Sequence, residues 1–212
     1  GARRGGKEVL ARELATGAGR EELLFELPPD QMGLGLPRAT AWSRNGTSVV
    51  YSARGGIWTL ALTATQPGAP LTAKALVQDP AAQNPRLSPD GRWLAYQAAV
   101  GGRTTSGVFV EAFPGGGQRQ QVAEDGSLAV WRPDGKALYY AVDGVLSVVE
   151  VSEIGGSLRF GPVRALMAVI TGRGFSYDVA KDGRILALVT SEQRASRPLT
   201  LVQNWVAALK SE

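Results

Sequence analysis

The stretch Arg86-Leu-Ser-Pro-Asp-Gly-Arg-Trp-Leu-Ala-Tyr96 decides the fold of this 212-residue chain. A short apolar segment leads into the turn Ser88-Pro-Asp-Gly91, and a segment with the alternating pattern of a β-strand follows the turn. Proline fixes φ at the second position of such a turn, serine suits the first position and glycine suits the last. The stretch therefore predicts two antiparallel strands joined as a β-hairpin.

The same hairpin recurs three more times. Arg132-Pro-Asp-Gly-Lys-Ala-Leu-Tyr-Tyr140 is a close copy, and Ser43–Tyr51 and Lys181–Leu188 are looser ones. The turn glycines stand at positions 46, 91, 135 and 183, so the period is 44 to 48 residues. Further short apolar segments follow each hairpin, and together they predict up to four short strands in each copy.

A period of roughly 40–50 residues with four strands in each copy predicts the blades of a β-propeller. The predicted fold is thus all-β, with antiparallel four-stranded blades around a central channel. By the spacing of the turns, the four blades cover about residues 39–84, 85–127, 128–173 and 174–205. The last blade has a predicted third strand at Pro198–Val202 but no fourth, and residues 206–212 form a C-terminal tail.

Residues 1–38 precede the repeats and contain two further apolar segments, at residues 7–17 and 21–27. We expect these segments to be the last strands of a partial blade, followed by a crossing loop, although the composition of the second segment also favours a helix. Because the last blade lacks a strand, we expect the chain to be the C-terminal part of a longer propeller. The alternative is that the N-terminal pair itself closes a small ring.

Tryptophan recurs at one place in the repeat. Trp42 and Trp131 each stand just before the turn segment of their copy. Aromatic side chains bury a large area, so we predict that both pack between blades. The same interpretation is given to Trp58, Trp93 and Trp205.

Charge and hydropathy argue against nucleic-acid binding and against a transmembrane helix in this segment. The net charge is +4, from 23 basic and 19 acidic side chains, and the basic residues are scattered beyond the N-terminal few. Nucleic-acid binding needs positive charge concentrated on one face, so we expect no nucleic-acid partner. No apolar run reaches 18 residues, which excludes a transmembrane helix here. An export signal or anchor upstream of residue 1 stays open.

Candidates for catalysis are few. The chain has no cysteine and no histidine, which excludes thiolate nucleophiles, imidazole bases and metal sites built from those residues. Glycosidases need paired carboxylates, and Asp178 is the one acid on the predicted inner strands. Asp90, Asp134 and Asp182 match turn chemistry instead. We therefore predict no catalytic residue, no cofactor-binding residue, no metal ligand and no enzyme activity.

Several segments resemble the repeats of bacterial TolB-type, WD-repeat-like β-propellers. They are Ser88–Tyr96, Val108–Gly117, Val130–Tyr140 and Pro198–Trp205. Together they are similar to the propeller regions found at the C-terminus of bacterial serine/threonine kinases and of winged-helix regulators. The first copy departs from the pattern, with Arg44-Asn45 in place of Pro-Asp, and the fourth has Ala180-Lys181 in place of Ser-Pro.

The resemblance implies a non-catalytic binding module, either a sensor domain or an accessory subunit of a larger bacterial complex. It implies a protein partner or an envelope ligand, and a periplasmic or extracytoplasmic location with or without an upstream membrane tether. Ligands of such propellers meet the loops between blades, so Arg103, Asp125 and Arg173 are predicted contact residues. The alternative is part of a glycan-processing enzyme whose catalytic acids lie in upstream blades.

Overall fold

The computed structural model of the chain describes residues 8–12, 21–26, 38–62, 71, 73–101, 105–115, 118–170 and 176–189. Within these ranges the regular elements are sixteen β-strands. Neighbouring strands in every sheet are antiparallel and pair in chain order. The predicted all-β fold with antiparallel sheets is confirmed.

Three four-stranded sheets, here called blades 1 to 3, follow one another. Blade 1 contains β3 (Arg38–Trp42), β4 (Ser48–Ala53), β5 (Gly56–Ala61) and β6 (Ala73–Val77). Blade 2 contains β7 (Gln83–Leu87), β8 (Trp93–Ala99), β9 (Ser106–Ala112) and β10 (Gln120–Ala123). Blade 3 contains β11 (Ser127–Trp131), β12 (Ala137–Val142), β13 (Val145–Ile154) and β14 (Ser157–Ala168).

Two strand pairs flank these blades. The N-terminal pair is β1 (Glu8–Arg12) with β2 (Glu21–Glu26), so the helix considered for the second segment is wrong. The other pair, called blade 4, is β15 (Tyr177–Val179) with β16 (Ile185–Ala187). The predicted strand Pro198–Val202 and the tail at 206–212 lie outside the described residues.

The hairpin turns adopt the geometry that their sequence favours. Gly91 has a φ of +74°, and its N–H donates to the carbonyl oxygen of Ser88 at 2.8 Å. Asp90 Oδ1 accepts the N–H of Arg92 at 3.1 Å. Asp134 and Asp182 accept the N–H two residues later in the same way, at 2.9 and 3.1 Å. The prediction that these three acids are turn residues is confirmed.

The core lies between neighbouring blades. The first strands of successive blades, β3, β7, β11 and β15, contact one another in that order, so they form the inner edge of the array. Each junction buries apolar side chains from the two facing sheets. Between blades 2 and 3 these include Trp93, Val110, Trp131, Leu138 and Tyr140. The junctions give each blade the second covered face that a single four-stranded sheet lacks.

The tryptophans do not all share one environment. Trp93 and Trp131 are buried, as predicted, whereas Trp58 is half-buried and Trp205 lies outside the described residues. Trp42 is 58% exposed, so its prediction as a core residue is wrong. Trp131 faces blade 2, but among the described strands no four-stranded sheet precedes blade 1 to cover Trp42.

Blade 4 differs from the others in register. In blades 1 to 3 the hairpin is closed by an N–H that donates to a carbonyl oxygen five residues on, in the pairs Ser43–Ser48, Ser88–Trp93 and Arg132–Ala137. In blade 4 the N–H of Ala180 donates to Arg184, four residues on. A shift of one residue turns each side chain to the other face of a strand. Accordingly Leu186, which takes the sequence position of the buried Leu138, is 77% exposed.

A candidate ligand site at the inner edge of the blades

Polar side chains meet at the leading ends of the inner strands, where the chain enters each blade. Asn84 is the second residue of β7, and Ser176 directly precedes β15. Because the inner strands lie side by side, their leading ends lie together. We define the inner-edge cluster as six residues of blades 2 and 4: Asn84, Gln97, Ser176 and Tyr177 at the leading ends, with Arg86 and Asp178 further along β7 and β15.

Gln97 links the leading ends of blades 2 and 3. Its Oε1 atom accepts a hydrogen bond from Asn84 Nδ2 at 3.0 Å and another from the backbone N–H of Leu128 at 3.2 Å. Asn84 and Leu128 have φ values of +53° and +58°, which few residues other than glycine adopt. Since Asn84 and Gln97 are both buried, these bonds hold the backbone of this end in a defined shape.

Tyr177 joins blade 4 to the same network. Its hydroxyl donates a hydrogen bond to the carbonyl oxygen of Leu128, and its ring packs in the core between blades 3 and 4. Burial raises the pKa of the Tyr177 phenol far above its usual value, while the positive charge of Arg86 lowers it. The phenol therefore stays protonated at neutral pH and remains a hydrogen-bond donor.

Arg86 and Asp178 bring opposite charges to the inner edge from blades 2 and 4. The guanidinium of Arg86 is partly buried, and that burial lowers its pKa, while the carboxylate of Asp178 and the phenol of Tyr177 raise it. An arginine keeps its charge in proteins, so the side chain is a fixed cation. Asp178 is exposed, and its Oδ1 atom accepts the N–H of Val179 at 2.9 Å.

Ser176 carries a hydroxyl that the rest of the cluster does not satisfy. The residue is 8% exposed, and its Oγ atom has no hydrogen-bond partner within the described ranges. A buried polar atom without a partner costs about 1–3 kcal/mol. A ligand that hydrogen-bonds Ser176 would recover that free energy on binding.

The contact residues predicted from the sequence do not include the residues of the inner-edge cluster. Asp125 is exposed between β10 and β11, near the leading end of blade 3, whereas Arg103 and Arg173 lie outside the described residues. The roles of all three as contact residues stay predictions. Gln97 interrupts the otherwise apolar strand β8, and that interruption was the signal that could have identified it. Arg86 lies in β7 beside Gln83 and Asn84, so its strand gives no such signal.

Over the described ranges, His, Cys, Asp and Glu side chains form no group of three or more that could hold a metal ion. In the same part of the chain, no helix has the length and apolar character needed to cross a membrane.

Comparison with known proteins gives matches in structure only. No protein-family model matches the chain, and no curated protein matches its sequence. A protein assigned as TolB from Agrobacterium tumefaciens is 20% identical, with a TM-score of 0.52 over 78% of this chain and 55% of that one. A protein assigned as a 6-phosphogluconolactonase from Bacteroides uniformis is 16% identical, with a TM-score of 0.52 over 87% and 61%. A periplasmic gluconolactonase of Pseudomonas aeruginosa is 18% identical, with a TM-score of 0.52 over 78% and 52%.

These likenesses establish the fold. The chain has the fold of TolB-type β-propellers, as the resemblance of its repeats predicted. It spans 52% to 61% of the length of the three proteins.

One prediction from the sequence has to be corrected. The prediction that the chain has no enzyme activity is wrong as an inference from this fold, because two of the structural neighbours bear the names of lactonases. The lack of cysteine and histidine excludes thiolate and imidazole chemistry, but a lactone is an activated ester. A carboxylate that accepts a proton from water and a cation that stabilises the resulting oxyanion need neither cysteine nor histidine.

Proposed function

We propose that this chain is a ligand-binding β-propeller that receives a segment of a protein partner at the inner-edge cluster. It would act as a sensor domain or an accessory subunit of a larger bacterial assembly. The observation that carries the proposal is the buried hydroxyl of Ser176, which has no hydrogen-bond partner among the described residues and stands two positions before Asp178, the carboxylate that interacts electrostatically with Arg86. The likeness to a TolB protein supports it, and the periplasmic name of the Pseudomonas neighbour supports an extracytoplasmic location.

The cluster suits a peptide segment with an acidic side chain or a terminal carboxylate. Arginine is a fixed cation that binds carboxylates with two parallel hydrogen bonds, so Arg86 would be the group that binds the acidic function of the segment. Ser176 both donates and accepts, so it pairs with a peptide N–H or a carbonyl oxygen. The network of Asn84, Gln97 and Tyr177 holds this end of the blades before binding, which lowers the entropy lost on association.

Ser176→Ala separates binding from folding. We expect the variant to be as stable as the parent chain or about 1 kcal/mol more stable, because it removes a buried hydroxyl without a partner. We expect partner binding to fall by about 3–10-fold through the lost hydrogen bond. The measurements are urea unfolding and photo-cross-linking in a bacterial host, with a benzophenone amino acid in place of the exposed Asp125.

Two controls accompany this experiment. A benzophenone at Asp134, which is exposed in the turn of blade 3, reports on the opposite end of the blades. Ser152→Ala changes an exposed serine of β13 and should leave stability and cross-linking unchanged. Cross-links from position 134 alone, or a destabilised Ser176→Ala with undiminished cross-linking, would refute the proposed site.

A second candidate function is the hydrolysis of a sugar lactone, favoured by the pair Arg86 and Asp178 in a fold shared with named lactonases. In this reaction the carboxylate of Asp178 takes a proton from water as the water oxygen bonds to the lactone carbonyl carbon. Arg86 stabilises the negative charge on the carbonyl oxygen. Collapse breaks the ring C–O bond, and the ring oxygen leaves with the proton, which yields the open hydroxy acid.

Glucono-1,5-lactone tests this candidate in a pH-indicator assay against the spontaneous rate in buffer. If Asp178 is the base, Asp178→Asn should lower kcat by about 10²–10⁴-fold. Asp182→Asn is the matched control, because Asp182 forms an ion pair with Arg184 within its own turn. A rate equal to the spontaneous one would remove hydrolysis from consideration, and equal loss in both variants would remove Asp178 as the base.

A further inference from the structure

A cleft of about 710 Å³ lies at the opposite end of the blades, between the hairpin turns of blades 1 and 2. We propose that this cleft, called the blade 1–2 cleft, binds a small anionic polyol such as a sugar phosphate or a sugar acid. Its volume lies within the range of roughly 300–1,000 Å³ that is typical of small-molecule sites. The residues that define its chemistry are Arg44, Asn45, Thr59, Lys74, Asp90 and Phe113.

The turn of blade 1 is electrostatically unlike the other three. In blades 2 to 4 the turn aspartate pairs with an arginine, at 2.7 to 2.8 Å in Arg92–Asp90, Arg132–Asp134 and Arg184–Asp182. In blade 1 the aspartate is replaced by Asn45, whose Oδ1 atom still accepts the N–H of Thr47 at 3.2 Å. The fold of the turn is therefore kept without its negative charge, and Arg44 adds a positive one.

Lys74 supplies a second cation to the same space. It pairs with Thr59 across β5 and β6, so both side chains lie on the face of blade 1 that looks toward blade 2. Over the described ranges, Arg44 and Lys74 take part in no ion pair. The hydroxyl of Thr59 is buried and has no hydrogen-bond partner among the described residues. Two cations and one unsatisfied hydroxyl thus face the cleft.

The remaining walls fit the rest of such a ligand. Asp90 brings one carboxylate, but that group already pairs with Arg92 at 2.8 Å and accepts a hydrogen bond from Ser88. Phe113 offers an apolar ring to the C–H face of a sugar, as aromatic side chains do in small-molecule sites. The anionic group would bind Arg44 and Lys74, and a ligand hydroxyl would pair with Thr59.

The junction between blades 2 and 3 provides a comparison in which the arginine of the cleft is paired with carboxylates. A cleft of about 420 Å³ lies between blades 2 and 3 and contains Arg92 and Lys136. There Arg92 pairs with both Asp90 and Glu153. Its guanidinium is therefore neutralised by two carboxylates. This contrast selects the blade 1–2 cleft as the anion site.

Isothermal titration of the full chain with glucose 6-phosphate tests the proposal, with gluconate, glucose and inorganic phosphate as further probes. We expect glucose 6-phosphate or gluconate to bind at least about tenfold more tightly than glucose and than phosphate. Replacing both cations, Arg44→Gln with Lys74→Gln, should lower that affinity by at least about tenfold. Lys136→Gln makes the same change in the neighbouring cleft and should leave the affinity unchanged.

The following results would overturn the proposal. Absence of binding by both anionic polyols, or equal affinity in the double variant, removes the site. Phosphate that binds as tightly as glucose 6-phosphate reduces the site to one for an inorganic anion, and the polyol assignment fails. Ser176→Ala should leave this titration unchanged, because Ser176 lies at the other end of the inner strands. A failure here is therefore distinguishable from a failure of the inner-edge cluster.

Discussion

Gly56→Ala is expected to destabilise the chain by about 3–5 kcal/mol, from backbone strain and overpacking together. Gly56 begins β5 with a φ of +138°, which L side chains rarely adopt. A Cβ atom added there would lie 1.8 Å from the carbonyl oxygen of Val77 and 3.1 Å from the N atom of Asp79. Both contacts are with backbone, so β6 itself must move. Urea unfolding should show the midpoint lowered by about 1–3 M.

Gly155→Ala is the matched control for that experiment. Gly155 has a φ of +60° in the turn between β13 and β14, and an added Cβ there meets nothing within 4 Å. Alanine in the left-handed region costs about 1–2 kcal/mol on its own. The difference between the two variants therefore measures the clash with β6 together with the extra backbone strain of alanine at a φ of +138°. Equal destabilisation of the two variants would contradict the close approach of Gly56 to Val77.

The hairpin turns were predictable because their chemistry is local. Ser88, Asp90 and Gly91 satisfy one another within four residues, and the bonds that they form in the structure are those that turn geometry requires. Repetition of this unit then fixed the period and with it the propeller fold. Features that depend on a few neighbouring residues and their recurrence could be deduced from one sequence.

The candidate site was not predictable in the same way. Arg86 and Asp178 belong to different blades, and only the arrangement of the inner strands brings them together. Gln97 was visible as a polar residue in an apolar strand, but its bond to the backbone of Leu128 depends on how blades 2 and 3 meet. The exposure of Leu186 likewise depends on a hairpin that closes one residue early.

Trp131→Ala is expected to cost about 3–5 kcal/mol, the usual cost when a large aromatic side chain is removed from a core. Trp131 is 6% exposed and packs between blades 2 and 3. Its indole N–H also donates to the carbonyl oxygen of Arg86 at 3.2 Å, so the variant loses that hydrogen bond between the blades as well. Urea unfolding followed by far-ultraviolet circular dichroism gives the measurement.

Trp42→Ala makes the same substitution at the equivalent position of blade 1, where the side chain is 58% exposed. A surface substitution of this kind should cost less than about 1 kcal/mol. Trp42 and Trp131 occupy equivalent positions, but only Trp131 packs against a neighbouring four-stranded blade. The difference between the two variants in free energy of unfolding therefore measures what packing against that blade contributes. If Trp42→Ala proves as costly as Trp131→Ala, another surface covers Trp42 in solution, and its exposure as described here is contradicted. If Trp131→Ala proves as mild as Trp42→Ala, the packing between blades 2 and 3 is not what stabilises the propeller.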